Sequence, residues 1–590
     1  MAKPPAKLLS ALIFLPFLIG LLGYLALRET TTKRPEELAV TTAGFVEMCI
    51  SCHTEEKLDT AHDAKLIGCS PCHLGDAMTV DKEKAHQGMV LNPGDLRVVE
   101  RTCGIEGCHP ADPHKVKNSL MATNRGILAT LLYYWGEADT QNDDYSVEEL
   151  LASGRTSLAL DYFRKMCGTC HLWKQKNEPA DAPLFFREKG GGCTACHFVL
   201  PDGLSLSTTT AFAKTDYVPG PDKKKPHPLI VKKIPEDNCI RCHNRSGRIG
   251  LSYTGIFEAE GYGTPYEQGG PSAKQLAGDR FYLEVAEDIH HQKGMSCIDC
   301  HTRDEIMGDG TRYAHYEEQL EISCEMCHSP QPGTTRKNKP VNNITQKEGR
   351  FILVGKNDGK ERPLNLPKPE ACVYPGHKRL TCESCHSTWV PQCYGCHVKR
   401  DDRETHLDTL SLKETQGWWE EGRSYIRYEK PMLAVWGEEI VIVTPGCQDV
   451  VTLVDKEGKV SGGFNRFTMA AINPHTTQTK GRTCADCHAS PKTVGLGEGT
   501  VSRQDGQWRF TPVDQGIDTL SGRTVGLDTF VTIDGKALQN GSRPDLRPFN
   551  GEELRRILRI GLCLQCHQDI RDPAYRDYDP KRPCPKYKEP

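Results

Sequence analysis

Paired cysteines followed by histidine recur twelve times along the chain, and this pattern limits the fold more than any other feature. Eleven copies read Cys-x-x-Cys-His, whereas the third, Cys103-Gly-Ile-Glu-Gly-Cys108-His109, has four residues between its cysteines. Only three of the 27 cysteines lie outside these copies. Numbered 1 to 12 in chain order, the motifs are Cys49-Cys52-His53, Cys69-Cys72-His73, Cys103-Cys108-His109, Cys167-Cys170-His171, Cys193-Cys196-His197, Cys239-Cys242-His243, Cys297-Cys300-His301, Cys324-Cys327-His328, Cys382-Cys385-His386, Cys393-Cys396-His397, Cys484-Cys487-His488 and Cys563-Cys566-His567.

The spacing within each motif has a chemical reason. Two thiols can add to the two vinyl groups at one edge of a porphyrin, and the next residue then offers its imidazole to the iron as proximal ligand. Zinc sites also use Cys-x-x-Cys pairs, but tetrahedral zinc does not require a histidine after every pair. A disulfide framework requires no histidine at all. The motifs therefore predict about twelve covalently bound haem c groups, each with its iron.

The composition agrees with an interior filled by something other than side chains. Apolar residues make up 37% and aromatic residues 7% of 590 residues, which is a thin supply for so long a chain. Porphyrins can serve as the missing apolar filling, so we expect a multihaem cytochrome c fold of mostly helix and irregular loops packed around haems. The net charge of −4 and the lack of a long basic run argue against a nucleic-acid partner.

The N-terminal residues resemble a membrane anchor. Lys3 and Lys7 precede residues 8–27, which carry no charge and are long enough to span a bilayer. The preceding lysines place the N-terminus inside and everything after Arg28 outside. We therefore predict an N-terminal transmembrane helix in the inner (cytoplasmic) membrane with the bulk of the chain in the periplasm. The alternative is export followed by signal cleavage.

Histidines outside the motifs are candidates for the second axial ligand that low-spin electron-transfer haems need. Seven of them stand five to twelve residues before the first cysteine of a motif, which makes a loose internal repeat. A local histidine can ligate a neighbouring haem rather than its own, so the sequence assigns no pairs. The ten candidates are His62, His86, His114, His227, His290, His291, His315, His377, His406 and His475.

Ten candidates cannot serve twelve irons. No spare histidine lies between His114 and His227 or after His475. One or two haems would then be five-coordinate and open to a small molecule. Alternative sulfur ligands, if they are not simply core residues, are Met121, Met166 and Met469.

Motif density and local patterns divide the chain into five regions. Ile440–Val443 is a β-branched run, which predicts strand in the fourth region, and Asn550 with Glu553 predicts a capped helix in the fifth. The regions are 1–40, the signal or anchor; 41–330, a dense eight-haem domain; 331–410, a close haem pair; 411–550, a small β-rich module with one haem; and 551–590, a C-terminal helix with the last haem and a tail.

On these motifs the chain resembles the multihaem, here dodecahaem, c-type cytochromes of bacterial anaerobic respiratory chains. That resemblance spans residues 49–567 and implies haems close enough to form a wire. The N-terminal span, motif 1, His62 and motif 2 are also similar to the membrane-anchored quinol-oxidising cytochromes of nitrate and nitrite respiration. This second resemblance covers some sixty residues and implies the membrane quinol pool as a partner; the chain departs from that family in length, haem number and motif 3.

Three functions are consistent with the sequence. The first is an electron relay between redox partner proteins, which requires mainly six-coordinate haems. The second is an oxidoreductase that reduces a small nitrogen or sulfur oxyanion at a haem without a distal histidine. The third is a subunit of an extracellular cytochrome filament, in which neighbouring subunits supply distal ligands. No acid–base pattern beside a motif identifies a catalytic residue.

Overall fold

The computed structural model describes all twelve motifs and all ten spare histidines. The described residues fall into two compact units. One contains Met1–Pro93 and Lys224–Ile230, with motifs 1 and 2; the other contains Gly94–Lys223 and Val231–Pro590, with motifs 3 to 12. The described ranges are 38–54, 58–174, 191–199, 227–244, 249–258, 274–276, 280–366, 376–504, 507–513, 516–517, 524–567 and 572–576.

A seven-stranded sheet is the largest element of the second unit. Its strands β1 and β2 form a long antiparallel hairpin, and β1 also pairs in parallel with the second half of β4. The first half of β4 pairs with β3, and β5 pairs with β4 along most of its length. The strands are β1 Val390–Asp408, β2 Lys413–Glu429, β3 Met432–Trp436, β4 Glu439–Val454, β5 Val460–Ala471, β6 Asn540–Gly541 and β7 Leu546–Arg547.

This sheet overturns the expected fold of mostly helix and loops with only a small β-rich module. The β-branched run at Ile440–Val443 does lie in a strand, as predicted. The sheet, however, begins at Val390, and β1 includes motif 10. The reason is tertiary: β1 is polar and highly charged, and besides its hairpin partner β2 it pairs with β4, which is distant in sequence.

Helices in the described residues are short. Residues 118–135 do not form one continuous helix, because the chain is interrupted at Ser119 and at Asn124, whose φ of +53° is left-handed. Asn550 caps α3 with Glu553 in a capping box, as predicted. The three main helices are α1 Arg125–Tyr134, α2 Val147–Ser153 and α3 Gly551–Cys563. Shorter helical segments outside the motifs are Ala64–Ile67, Lys82–His86, Asp112–Asn118, Leu120–Thr123, Leu158–Tyr162, Ile249–Tyr253, Ile289–Gln292, Arg303–Met307, Tyr316–Gln319 and Pro573–Arg576.

Small antiparallel sheets supplement the large one. Ile344–Lys347, Arg350–Val354 and Glu361–Pro363 form one that contacts motif 7. The other strands are Ile256–Glu258 and Lys274–Leu276 on either side of Arg280–Glu284, Gly499–Gln504 with Gln507–Pro512, and Gly516–Ile517 with Thr524–Val525.

The fold prediction also included a transmembrane helix. Across the described ranges, no helix has both the length and the apolar character needed to cross a bilayer. The predicted anchor at residues 8–27 lies outside those ranges.

Two apolar cores join the sheet to the helices. In the first, Leu128 of α1 and Leu150 of α2 pack with Val398 and Val451 of β1 and β4. In the second, Leu554 and Leu558 of α3 pack against β1, β3 and β4. Each fully buried aliphatic side chain stabilises the fold by about 1.5–3 kcal/mol, so these cores fix where α1 and α3 sit on the sheet.

Candidate metal centres

Most motifs share one local structure, a single helical turn. In eight of them the histidine N–H donates to the carbonyl oxygen of the first cysteine, with N···O distances of 2.8–3.1 Å. Motifs 9 and 11 lie inside the helices Cys382–His386 and Cys484–His488. This turn brings both sulfurs and the imidazole to one side of a short segment, as attachment to one porphyrin edge requires.

Motif 3 closes the same turn despite its two extra residues. The His109 N–H donates to Cys103 O at 3.1 Å, and Gly107, with φ of +85°, absorbs the longer loop. The ends of motif 3 therefore have the same backbone relationship as those of the shorter motifs. This geometry supports the prediction that Cys103 and Cys108 attach a haem.

Motifs 4 and 10 depart from this pattern. Cys167 ends a π-helical segment, Phe163–Cys167, and π-helices are frequent at functional sites. Motif 10 lies on strand β1, where successive side chains alternate between faces. Gly395, between Cys393 and Cys396, has a left-handed φ of +59°.

Five motif histidines each face a spare histidine across the gap that one metal ion would occupy. Two imidazole nitrogens that bind one metal at about 2 Å each place their ring centres about 6 Å apart. The pairs, with the motif histidine first, are His53–His86 at 6.2 Å, His73–His227 at 5.9 Å, His301–His475 at 6.2 Å, His328–His290 at 6.1 Å and His488–His377 at 5.9 Å. The residues therefore fit iron held between two axial imidazoles.

Hydrogen bonds to the other ring nitrogen agree with metal ligation. A ligating histidine usually donates its second N–H to a carboxylate or backbone carbonyl, which fixes the tautomer. Eight of the ten paired rings place Nδ1 2.6–3.0 Å from such an oxygen, so Nδ1 carries the proton and Nε2 is the ligand atom. These are His73 to Val90 O, His86 to Lys82 O, His227 to Pro228 O, His290 to Asp288, His301 to Glu305, His328 to Asn365 O, His475 to Asn473 O and His488 to Ile557 O.

Burial keeps several of these rings neutral, which a metal ligand must be. Burial and then the neighbouring His301 lower the pKa of His475 to about 4. Burial, followed by His488, also lowers the pKa of His377, and burial lowers that of His488 itself.

The spare histidines in these pairs do not face the motifs nearest them in sequence. His475 precedes motif 11 but faces His301 of motif 7, and His290 precedes motif 7 but faces motif 8. His377 likewise precedes motif 9 and faces motif 11, and His227 precedes motif 6 and faces motif 2. Each pair therefore brings two distant parts of the chain to one candidate metal position.

The other spare histidines have different surroundings. His62 and His291 place Nδ1 3.0 Å from Asp59 and 2.5 Å from Glu287, the same arrangement as in the paired rings. His114 lies beside Asn118.

The hydrogen bonds of His315 and His406 do not leave Nε2 available as a metal ligand. The Nε2 of His315 is 3.1 Å from Asn142 Oδ1, and its Nδ1 is buried without a hydrogen-bond partner. The Nδ1 atom of His406 accepts a hydrogen bond from the backbone N–H of Trp419, so Nε2 carries the ring proton. The His406 ring also stacks on Trp418.

Met469 was a candidate sulfur ligand, and the structure places it in the core. It is fully buried among Met432, Val443, Phe530 and Leu546 of the sheet region. Met166 packs against the first core.

Sequence reasoning missed the carboxylates that orient the histidines. Asp288 contacts His290, Glu287 contacts His291 and Glu305 contacts His301. The signal was present in the sequence as an acidic residue two to four positions from a histidine. Glu47 was also missed: its carboxylate accepts from the backbone N–H groups of Cys69 and Ser70 at 3.1 Å and so caps the turn of motif 2.

Motifs 6 to 9 of the second unit contact each other in sequence order. The side chains of the first cysteines of motifs 6 and 7, Cys239 and Cys297, are in contact, and so are those of motifs 8 and 9, Cys324 and Cys382. Cys300 of motif 7 and Cys327 of motif 8 are also close enough to interact.

Beyond motif 9 the contacts leave the sequence order. The Arg482 N–H, just before motif 11, donates to Cys385 O of motif 9 at 2.8 Å. His488 of motif 11 then places Nδ1 2.9 Å from Ile557 O on α3, the helix that ends at Cys563 of motif 12.

Motifs 4 and 5 contact motif 6, motif 3 contacts motif 5, and motif 10 packs on the same apolar core as motif 4. Asn238, beside Cys239, donates to Cys196 O of motif 5 at 2.6 Å, and the side chain of Cys193 of motif 5 contacts that of Cys103 of motif 3. Cys170 Sγ of motif 4 lies 3.9 Å from Cys242 O. Motifs 4 and 10 both pack against the first core, where the rings of Tyr162 and Trp419 lie 5.0 Å apart. All ten motifs of this unit thus form one connected array.

The candidate metal sites consist of pairs of histidines and not of clusters of three or more ligands. No group of three or more His, Cys, Asp or Glu side chains that could hold a metal ion occurs among the described residues.

Comparison with known proteins finds no relative, because no family model, curated protein or solved structure matches this chain.

Proposed function

We propose that the chain is a periplasmic electron-transfer protein with twelve covalently attached haem c groups. The observation that carries this proposal is the set of five histidine pairs at 5.9–6.2 Å, each joining a motif histidine to a spare one. Haem c supplies an iron that accepts and releases single electrons. An iron with two axial imidazoles would keep both ligands when it is oxidised or reduced, which is the behaviour expected of an electron-transfer haem.

The protein residues have separate roles around each metal position. The cysteine pairs would anchor the porphyrins, and the motif histidines would be proximal ligands. The paired spare histidines would be distal ligands. Asp288, Glu305 and the backbone carbonyls hold Nδ1 protonated, and so keep the ligand nitrogen aimed at the metal.

The connected array of motifs 3 to 12 supports conduction over distance. Electron tunnelling slows steeply with separation, so neighbouring carriers must be close. Motifs 6 to 9 contact one another in sequence order, as at Cys239 and Cys297, and the other motifs are linked to them through intervening residues. Redox partner proteins would exchange electrons with its accessible motifs, and the membrane quinol pool remains a proposed donor to the N-terminal unit.

Reduction of a small molecule is the second candidate function. The Nε2 atom of His315 is hydrogen-bonded to Asn142, and the Nε2 atom of His406 carries a proton. Neither atom is placed to bind iron, so still fewer spare histidines can serve as distal ligands. Some irons would then have an open sixth position. Such a site would bind a small nitrogen or sulfur oxyanion.

The proposal is tested on protein produced in a host with working cytochrome maturation machinery. Intact mass and a haem assay should give about twelve haems per chain. Electron paramagnetic resonance of the oxidised protein should show mainly low-spin ferric iron. A colourless protein would refute the proposal, and a high-spin signal with turnover of an oxyanion would favour the second function.

A further inference from the structure

The turn that follows the strand Arg350–Val354 is bound to motif 7. The Lys356 backbone N–H donates to Asp299 Oδ1 at 2.6 Å, and the Asn357 side chain donates to Ser296 Oγ at 3.1 Å. Asp299 is 1% exposed and also accepts from the Ser296 N–H at 2.8 Å. These bonds hold Lys356 in one position beside the two cysteines of motif 7.

The side chain of Lys356 is half-buried and reaches the end of the motif 7 turn. Its ammonium group donates to Ile298 O and, at 3.4 Å, to His301 O. Carbonyl oxygens at the C-terminal end of a helical turn carry partial negative charge, which favours a cation at this place. Because His301 would be the proximal ligand of motif 7, the ammonium group lies beside the residue that would bind one iron.

The same ammonium group is also close to motif 8. Cys300 of motif 7 and Cys327 of motif 8 are close enough to interact with each other, and each of them also interacts with Lys356. The histidines that follow these two cysteines, His301 and His328, each face a spare histidine across a candidate metal position. One cation is therefore shared by two neighbouring candidate metal positions.

The charge of Lys356 is not neutralised by the groups that its ammonium contacts. Both hydrogen bonds of the ammonium go to uncharged backbone carbonyls. Of the nearby carboxylates, Asp299 accepts from Ser296 and from the Lys356 backbone, and Glu305 lies 2.6 Å from His301 Nδ1. Burial lowers the pKa of Lys356, and the negative charges of Asp299 and Glu305 act in the opposite direction. Charges in a partly buried setting interact more strongly than charges in water.

We propose that Lys356 raises the reduction potentials of the irons at motifs 7 and 8 and so makes this pair easier to reduce. This inference rests on the proposed function and extends it by naming a residue that sets the potentials within the array. Ferric iron carries one more positive charge than ferrous iron, so a neighbouring cation disfavours the oxidised form.

Potentiometric titration of the holoprotein, followed by haem absorbance, tests the inference. Lys356→Gln and Lys356→Met remove the charge, and each should shift two of the roughly twelve one-electron steps to lower potential. Lys356→Arg keeps a cation at this position and should leave the titration curve close to that of the parent.

The matched control is Lys360→Gln, which removes a cation from the same turn. The Lys360 side chain is 76% exposed and lies 3.9 Å from Asp358. Water and salt screen an exposed charge, so this variant should titrate like the parent.

A second measurement assigns the shift to motif 7. Replacement of His475, which faces His301, should give a high-spin ferric signal from the motif 7 iron. The potential at which that signal disappears on reduction should be lower in the double variant His475→Ala, Lys356→Gln than in His475→Ala alone. If His475→Ala stays low-spin, the titration of the whole protein decides by itself.

Haem content is measured first, and the comparison uses the neutral variants that keep the parent value. Superimposable curves for the parent and these variants would overturn the inference, and so would an equal shift in Lys360→Gln or in Lys356→Arg. Loss of haem from both neutral variants would also overturn it, because Lys356 would then serve attachment and not potential. Absence of haem from the parent would refute the proposed function itself, whereas a haem-loaded protein whose potentials ignore Lys356 would refute only this inference.

Discussion

The imidazole rings of His301 and His475 lie 6.2 Å apart with only 8° between their planes. His301 is the last residue of motif 7, whereas His475 stands just before motif 11. Asp288 is part of the same neighbourhood, since it accepts from the Thr477 N–H and also contacts His290. This histidine pair therefore joins segments that the sequence analysis assigns to different regions of the chain.

Replacement of His475 by alanine should open one iron. Twelve haems should remain, because neither the cysteines nor His301 changes. Electron paramagnetic resonance should show a new high-spin ferric signal, and the ferrous protein should bind carbon monoxide. His315→Ala is the control, because His315 bonds to Asn142 through Nε2 and should give no new signal. An unchanged low-spin spectrum in His475→Ala would contradict the pairing.

Motif 3 should carry a haem despite its longer spacing. The double variant Cys103→Ser, Cys108→Ser should lose the mass of one haem, because the turn closed by His109 can no longer form thioethers. Intact mass spectrometry provides the measurement. Cys447→Ser is the matched control, since Cys447 lies outside every motif and its loss should leave haem mass unaltered. Equal haem mass in parent and double variant would show that motif 3 is not an attachment site.

Arg164 should be important for stability near motif 4. Its guanidinium forms a buried ion pair with Asp408 at 3.0 Å and donates to Leu150 O, which ties β1 to α2. Arg164→Ala leaves a buried carboxylate without its partner and should lower the free energy of unfolding by about 3–5 kcal/mol. Denaturant titration of the holoprotein measures this loss. Lys347→Ala, which removes an exposed pair with Glu361, should cost no more than about 1 kcal/mol.

Glu47 should make the N-terminal unit sensitive to acid. Burial opposes ionisation of this carboxyl, but the hydrogen bonds that it accepts, including those from the Ser70 hydroxyl and the backbone N–H groups of Ser70 and Cys69, outweigh it and hold the pKa below the ordinary 4.5. A folded-state pKa below the unfolded value gives stability that is present above about pH 4.5 and is lost as pH falls through the folded pKa. Glu47→Gln should therefore destabilise the unit near neutral pH by about 1–3 kcal/mol.

The difference between the parent and Glu47→Gln should shrink as the pH falls below 4.5. Thermal unfolding, followed at several pH values, tests this. Glu106→Gln is a suitable control, because Glu106 is exposed in the loop of motif 3. A constant difference at every pH would mean that ionisation of Glu47 does not contribute.

The sequence by itself determined the local structure of most motifs. Cysteine, cysteine and histidine at fixed spacing form one helical turn almost wherever they occur, because a hydrogen bond between residues four apart is local and needs no partner from elsewhere. The caps at Ser146 and Asn550 were predictable for the same reason, since each is satisfied by a glutamate three residues later.

Only the tertiary structure decided which motifs are neighbours and which histidine faces which. His475 could not be assigned to His301 from spacing, because the contact depends on how the chain returns across the fold. The large sheet was missed for the same reason: β1 is highly charged, and its place in the sheet depends on β4, which pairs with it from a distant part of the chain, as well as on its hairpin partner β2. Local bonds can be inferred from local sequence, whereas contacts between distant segments depend on the packing of the whole unit.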